Sequence, residues 1–248
     1  MDIHHNSSRQ VVEEDRLSSL PDVLIHKIMS CIDMKYVVQT CLLSSRWKLL
    51  WTSMPFLNFS SKEFRSSSKL AKFISSKFSK SVSSKFTKFV EHVLSHRNHQ
   101  IEVSFVKLHF RGQWNQVFVQ KIANYAFSHN VQELTVVSST SSDHFYPPCL
   151  FSSQSLKHFT LTCKSCELWD TTKTSLDFPA LTTLNLSFVK VYGDLFSKCV
   201  NLKNLTLDFF CGMGSEHVFD IVTPRLSNLM LAYGHCLKTV NVIAPLLG

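Results

Sequence analysis

From Leu20 to Met54 apolar residues recur at helical spacing, and past residue 100 the pattern changes to a repeated apolar triplet of the kind strands with one buried face produce. Three short helices fit the first region. Ser19-x-x-Asp22 reads as a capping box with Pro21 in the first turn, and Leu24, Ile28 and Ile32 follow on one face. Asp33 can cap a second helix, in which Val37, Val38, Cys41 and Leu42 share a face. Ser44 can cap a third, carrying Trp47, Leu50 and Trp51 and stopped by Pro55. Residues 1–15 are polar and aperiodic, so a disordered tail is expected there.

In the triplet, two residues separate the first and second apolar positions and one separates the second and third. It runs Phe105, Leu108, Phe110; Val131, Leu134, Val136; Leu156, Phe159, Leu161; Leu181, Leu184, Leu186; Leu202, Leu205, Leu207; Leu226, Leu229, Leu231, with starts 26, 25, 25, 21 and 24 residues apart. That period is the one of a leucine-rich repeat, with one strand per coil. Leu237, Val240 and Val242 repeat the triplet after only 11 residues, as an irregular last coil. The position three residues beyond each triplet, where regular repeats carry an Asn or Cys ladder, holds Gln113, Ser139, Lys164, Val189, Phe210 and Gly234. The array should therefore be irregular. Between strands, Trp114 to Ser128 looks helical, the Pro147-Pro148 stretch irregular, and short helices are expected after Asp194 and Ser215.

A motif adds to the helical reading. Leu20-Pro21-Asp22, Lys27-Ile28-Met29-Ser30, Val37-Val38, Leu43-Ser44-Ser45-Arg46-Trp47-Lys48 and Leu50-Trp51 together resemble an F-box of the form found in plant F-box/leucine-rich-repeat proteins, over residues 16–59. Asp33 stands where that family commonly has proline, Tyr36 where it has an acidic residue, and Val23 where a second acidic residue is frequent. Asn130-Val131-Gln132-Glu133-Leu134 and Phe178-Pro179-Ala180-Leu181 extend the resemblance into the repeats. Members commonly continue into a C-terminal FBD region; ending at Gly248, this chain reads as a truncated member or a partial one.

The resemblance implies a non-catalytic subunit of a cullin-type ubiquitin ligase, docking on a Skp-family adaptor and through it on the cullin. Leu20, Pro21, Leu24, Ile28, Leu42 and Trp47 are the candidate adaptor-facing residues. The repeats offer an extended surface for a target protein. With the second and third apolar residues of each triplet pointing inward, the alternating neighbours point out. They are Lys107, His109 and Arg111; Glu133, Thr135 and Val137; His158, Thr160 and Thr162; Thr183, Asn185 and Ser187; Asn204, Thr206 and Asp208; and Asn228, Met230 and Ala232. The expected fold is α+β, a three-helix F-box (16–59), a basic linker and helix (60–100), and a short, irregular leucine-rich-repeat solenoid with a parallel sheet (101–248).

The net charge of +8 invites a nucleic-acid reading. Eight basic residues against Glu63 alone lie between Ser61 and Val90, namely Lys62, Arg65, Lys69, Lys72, Lys77, Lys80, Lys85 and Lys88, interleaved with Phe64, Phe73, Phe78, Phe86 and Phe89. Such a stretch can bind single strands. The helical register of Phe86, Phe89, Val90 and Val93 favours an amphipathic helix from Val82 to Leu94 instead.

No apolar run is long enough to cross a membrane and the first residues are not a signal segment, so a chain of the cytoplasm or nucleus with no membrane contact is expected. The eight cysteines then read as reduced, mostly buried thiols. Cys163-x-x-Cys166 lacks a second ligand pair, and His92, His96 and His99 lie at a helix end where solvation explains them; no metal or cofactor is expected. Neither a nucleophile elbow nor a glycine-rich phosphate loop is present, and no catalytic residue is assigned. The alternative is a repeat protein outside the ubiquitin pathway that binds protein or nucleic acid.

Overall fold

The computed structural model describes residues 16–17, 19–64, 75–111, 116–139, 146–164, 168–172, 174–193, 195–212, 218–236 and 238–247. Readings that fall on residues 1–15, Arg65, Lys69, Lys72, Phe73, Gln113, Trp114, Cys166 and Leu237, and on the side chains of Lys77, Phe78 and Lys80, lie outside the described residues, whereas the segment after Asp194 is a turn and not the expected short helix.

Three short helices form the head: α1 (Asp22–Met29), α2 (Met34–Gln39) and α3 (Trp47–Leu50). Each is too short to stand alone, so packing holds them. Ile25, Met29, Met34, Val37, Trp47, Leu50 and Trp51 are buried together, and His26 Nε2 lies 3.1 Å from the Leu50 carbonyl, tying α1 to α3.

The expected Ser19 cap does not form. Ser19 donates to the Arg16 carbonyl at 2.9 Å, and the N-cap position of α1 is Pro21, which offers no side-chain acceptor. The carboxylate of Asp22 instead pairs with Arg46, whose own position is the N-cap of α3 in place of Ser44.

Asp33 does cap α2, accepting from the Lys35 N–H at 2.8 Å. Its second oxygen is buried without a well-formed hydrogen bond. Burial, opposed by the Lys35 and Ser60 amides, raises its pKa. The departure from proline at this position thus puts a partly unsatisfied carboxylate in the head.

The repeats build one parallel sheet in the order β1 (Phe56–Ser60), β2 (Phe105–Arg111), β3 (Glu133–Ser139), β4 (His158–Cys163), then β6 (Thr183–Val191), β7 (Asn204–Gly212) and β9 (Asn228–Ala232), with the short β5 (Trp169–Asp170) paired to the far end of β6. The first strand lies inside the span read as F-box. Met54, Leu57 and Phe59 are a seventh triplet, all three buried, and Leu57 and Phe59 pair with Val106 and Leu108.

The register also corrects the next coil. Phe105 pairs with Glu133 and Leu108 with Val136, so the triplet equivalent to Val131, Leu134, Val136 is Val103, Val106, Leu108, two residues earlier than the spacing alone suggested. An apolar residue occurs at both phases, and only pairing distinguishes them.

Past β7, the segment after Ser215 is not a helix but β8 (Val218–Val222), whose Phe219 and Ile221 point inward with strand alternation. It pairs with β10 (Thr239–Ile243) in a separate two-stranded sheet. The Val240 and Val242 triplet is therefore no further coil of the main sheet.

Two helices pack on the sheet, α4 (Ser75–His96) and α5 (Gln116–Ser128). The helix α4 is longer than expected, but its buried face is the expected one, with Phe86, Val90 and Val93 buried and Phe89 packed at the core edge. Phe64 meets Phe86 at 5.5 Å and Phe89 at 5.1 Å between ring centroids. Lys85 and Lys88 face solvent. Packing on this face accounts for Phe64, Phe86 and Phe89 among the phenylalanines that composition alone offered to nucleic-acid bases.

Candidate interaction surfaces

The adaptor candidates separate into two groups. Leu24 is 50% exposed, Ile28 45% and Leu42 85%; Pro21 is exposed and Leu20 packs against the core. Trp47 is 3% exposed, which corrects its reading as a surface residue. A head of three short helices needs a large side chain at its centre, and the indole of Trp47 fills that place. Leu24 and Ile28 stand one turn apart on the outer face of α1. The Asp22 to Arg46 ion pair draws the start of that helix to the segment following Leu42. Sequence reasoning missed Val23, Leu43 and Leu49, which are also exposed. Their signal was an apolar residue off the buried helical face.

Tyr36, another departure from the family pattern, is exposed and donates to the Glu63 carboxylate. This bond raises the phenol's pKa. Lys35 donates to the Glu63 carbonyl at 2.5 Å. Both contacts lock α2 to the turn after β1.

The second surface is the outer face of the sheet. Pairing sets its residues in three rows: Phe56, Phe105, Glu133, His158, Thr183, Asn204 and Asn228; then Asn58, Lys107, Thr135, Thr160, Asn185, Thr206 and Met230; then Ser60, His109, Val137, Thr162, Ser187, Asp208 and Ala232. Arg111 stands beside Ser139 at the end of its strand.

Neighbouring coils are bonded through side chains on this face. Asn185 Nδ2 donates to Thr160 Oγ1 at 3.2 Å, Asn204 Nδ2 to Thr183 Oγ1 at 3.2 Å, and Asn228 Nδ2 to Asn204 Oδ1 at 2.7 Å. A polar ladder thus runs on the outer face, in place of the one absent inside.

Its β1–β2 end is basic. Burial, then the charges of Arg111, Lys107, Lys164 and Lys62, push the His109 pKa down, so this imidazole stays neutral at pH 7 amid four cations. Asp208 lies towards the opposite end, in the row of His109.

Immediately past the third row, Phe188, Phe209 and Tyr233 take positive φ angles of 62°, 48° and 50°. The β6–β7 pairing runs Ser187 to Asp208 and then Val189 to Phe210, stepping over Phe188 and Phe209. The three rings stack, at 4.8 Å and 3° between Phe188 and Phe209 and at 4.5 Å and 15° between Phe209 and Tyr233. Left-handed backbone at a bulky residue costs on the order of 1–2 kcal/mol, and ring stacking offsets part of that. An aromatic before each of Val189, Phe210 and Gly234 was the sequence signal for it.

Among the described residues no trio of His, Cys, Asp or Glu gathers as a metal would require, and no helix is long and apolar enough to cross a membrane. None of the described cysteines forms a disulfide. Cys163, Cys199 and Cys211 are buried, whereas Cys31 and Cys236 are exposed, which corrects the mostly buried reading for those two.

A family profile described as "FBD-associated F-box protein At5g56370, LRR repeats" matches residues 119–248, and the F-box domain profile matches residues 17–59. Among Arabidopsis thaliana proteins, the putative F-box/FBD/LRR-repeat protein At4g03220 is 32% identical, over 95% of this chain and 42% of its own length. The putative F-box/FBD/LRR-repeat protein At4g13965 is 32% identical over 90% of this chain and 49% of its length. The F-box/LRR-repeat protein At3g26922 is 28% identical over 89% and 68%. The chain spans about half the length of the first two relatives. No solved structure matches it.

Proposed function

The chain belongs to the plant F-box/leucine-rich-repeat family, and on that premise we propose that it bridges a Skp-family adaptor to a target protein within a cullin-type ubiquitin ligase. The observation that carries the adaptor contact is the exposure of Leu24, Ile28 and Leu42 on a head whose own core is complete without them. Apolar side chains left outside a filled core are what a partner surface buries. The head is joined to the sheet by β1 and by the buried Arg97, which donates to the Met54 carbonyl. A target on the sheet therefore stands at a set distance from the adaptor, and the chain contributes proximity rather than a catalytic group.

The target contact uses the outer rows, with Lys107 and Arg111 receiving an acidic segment and the Thr160 and Asn185 region a close-fitting one. The site of action is the cytoplasm or nucleus. Pull-down of the full chain with a Skp-family adaptor tests the reading. Leu24→Asp with Ile28→Asp should abolish capture of adaptor and cullin while the circular dichroism spectrum stays unchanged; retained capture would sink it. Charge reversal at Lys107 and Arg111 should remove the target and leave the adaptor bound.

A further inference from the structure

A cavity of about 540 Å³ lies between the start of α5, the turn Pro148–Phe151 and β5, apart from the outer strand face and from the adaptor-facing helix. That volume is in the range of small-molecule sites. Aromatic rings form its floor. Phe151 and Trp169 stack at 4.9 Å with planes 11° apart, and Tyr146 meets them edge-on at 6.4 Å and 5.7 Å. The Tyr146 hydroxyl is engaged by Ser138 Oγ at 2.6 Å, and burial raises its pKa well above the ordinary phenol value. The floor is thus neutral.

Asp170 is the only charged side chain among the described residues of the lining. Burial works against its charge, but hydrogen bonds from Thr172, the nearby Lys190 and a hydrogen bond with Tyr192 outweigh it, so its pKa lies below the ordinary value. The Thr172 amide and hydroxyl both donate to Oδ1, at 2.8 and 2.6 Å. A carboxylate held ionised at the edge of an aromatic floor repels anions and attracts cations, and the ring faces add a further attraction for a cation.

We propose that this cavity binds a small cationic ligand, a protonated amine on an apolar or aromatic frame, with the amine at Asp170 and the frame against Trp169 and Tyr146. The site is independent of the adaptor reading, and the failure of either leaves the other standing. The test uses the full chain and three probes sharing one frame: phenethylamine as the cation, 2-phenylethanol as the neutral form and 3-phenylpropanoate as the anion. Saturation-transfer NMR and the thermal midpoint report binding. Phenethylamine should show transfer and raise the midpoint, 3-phenylpropanoate should do neither, and Asp170→Asn should weaken the amine about tenfold, the worth of one partly desolvated cation contact. Absence of transfer from the amine, equal transfer from all three probes, or undiminished amine binding by a folded Asp170→Asn chain would overturn the proposal. The three-probe comparison on the unmutated chain stands even if that variant does not fold.

Discussion

The guanidinium of Arg97 grips the carbonyl oxygen of Met54, Nε donating at 3.2 Å and Nη2 at 2.6 Å, in a site from which Arg97 is almost wholly withdrawn from solvent. Its third nitrogen, Nη1, donates to the Ile101 carbonyl at 3.3 Å and the Tyr125 hydroxyl at 3.1 Å. One cation therefore connects the end of the head, the segment after α4 and the helix α5. Among the described residues the charge is shared by oxygens without a carboxylate partner, so its burial is tolerable only while these bonds are made.

Replacing Arg97 with leucine should cost about 3 kcal/mol, because the Met54 carbonyl and the Tyr125 hydroxyl lose their donor in a buried site. Arg97→Lys should recover only part of this, since an ammonium cannot span the same acceptors with a planar fork. Urea unfolding of the three chains gives the comparison, and equal midpoints would refute the keystone role.

Trp47→Ala and the pair Leu24→Asp with Ile28→Asp should behave in opposite ways. The first removes a buried indole and should destabilise the chain by about 3–5 kcal/mol. The second changes exposed positions, should leave the thermal midpoint within a degree or two, and should still cost the adaptor interface about 2 kcal/mol or more. Calorimetry beside an adaptor titration separates them.

At His109 the folded pKa lies below the ordinary value of 6.5. The unfolded chain then binds the proton first as pH falls, so stability present above about pH 6.5 declines towards the lower folded pKa. Lys107→Glu with Arg111→Glu removes two of the repelling charges. The imidazole pKa read by NMR titration should rise, and the loss of stability between pH 7 and pH 5 should shrink.

A Cβ added at Gly234 would stand 2.7 Å from the Phe210 ring tip, and that ring is buried. Gly234→Ala should therefore cost about 1–3 kcal/mol through overpacking. In the Phe210→Leu background the same substitution should cost much less, and additive losses in a double-mutant cycle would show that the ring is not the obstacle.

The helical spacing up to Trp51, the triplet period and the outer rows were all legible from apolar periodicity, although in α1 the spacing pointed to Leu24 and Ile28 where Ile25 and Met29 are the buried pair. So was the role of Asp33, since a cap bonds within two residues of itself. The Ser19 cap was misread for a complementary reason. A serine can hold several nearby acceptors, and Ser19 takes the Arg16 carbonyl.

The first strand was overlooked although its triplet stood in the chain at Met54, Leu57 and Phe59. The motif reading had already assigned those residues to the head, and 49 residues separate this triplet from Val103. That gap is about two periods taken in one step. The insertion of α4 explains it, since a 22-residue helix occupies the crossover between β1 and β2.

By itself, then, the sequence determined the local facts: which residues are helical or extended, which side of each is apolar, and that the elements repeat. The tertiary structure alone decided the rest. Pairing chose between the two phases around Phe105, because an apolar residue stands at either one. Packing turned Trp47 inward, since three short helices need a large side chain between them. Burial gave Arg97 its oxygens, lowered His109 among cations brought from separate elements, and closed the aromatic floor around Asp170. Each of these depends on groups far apart in the chain, and the energy of a contact is set by distance in space.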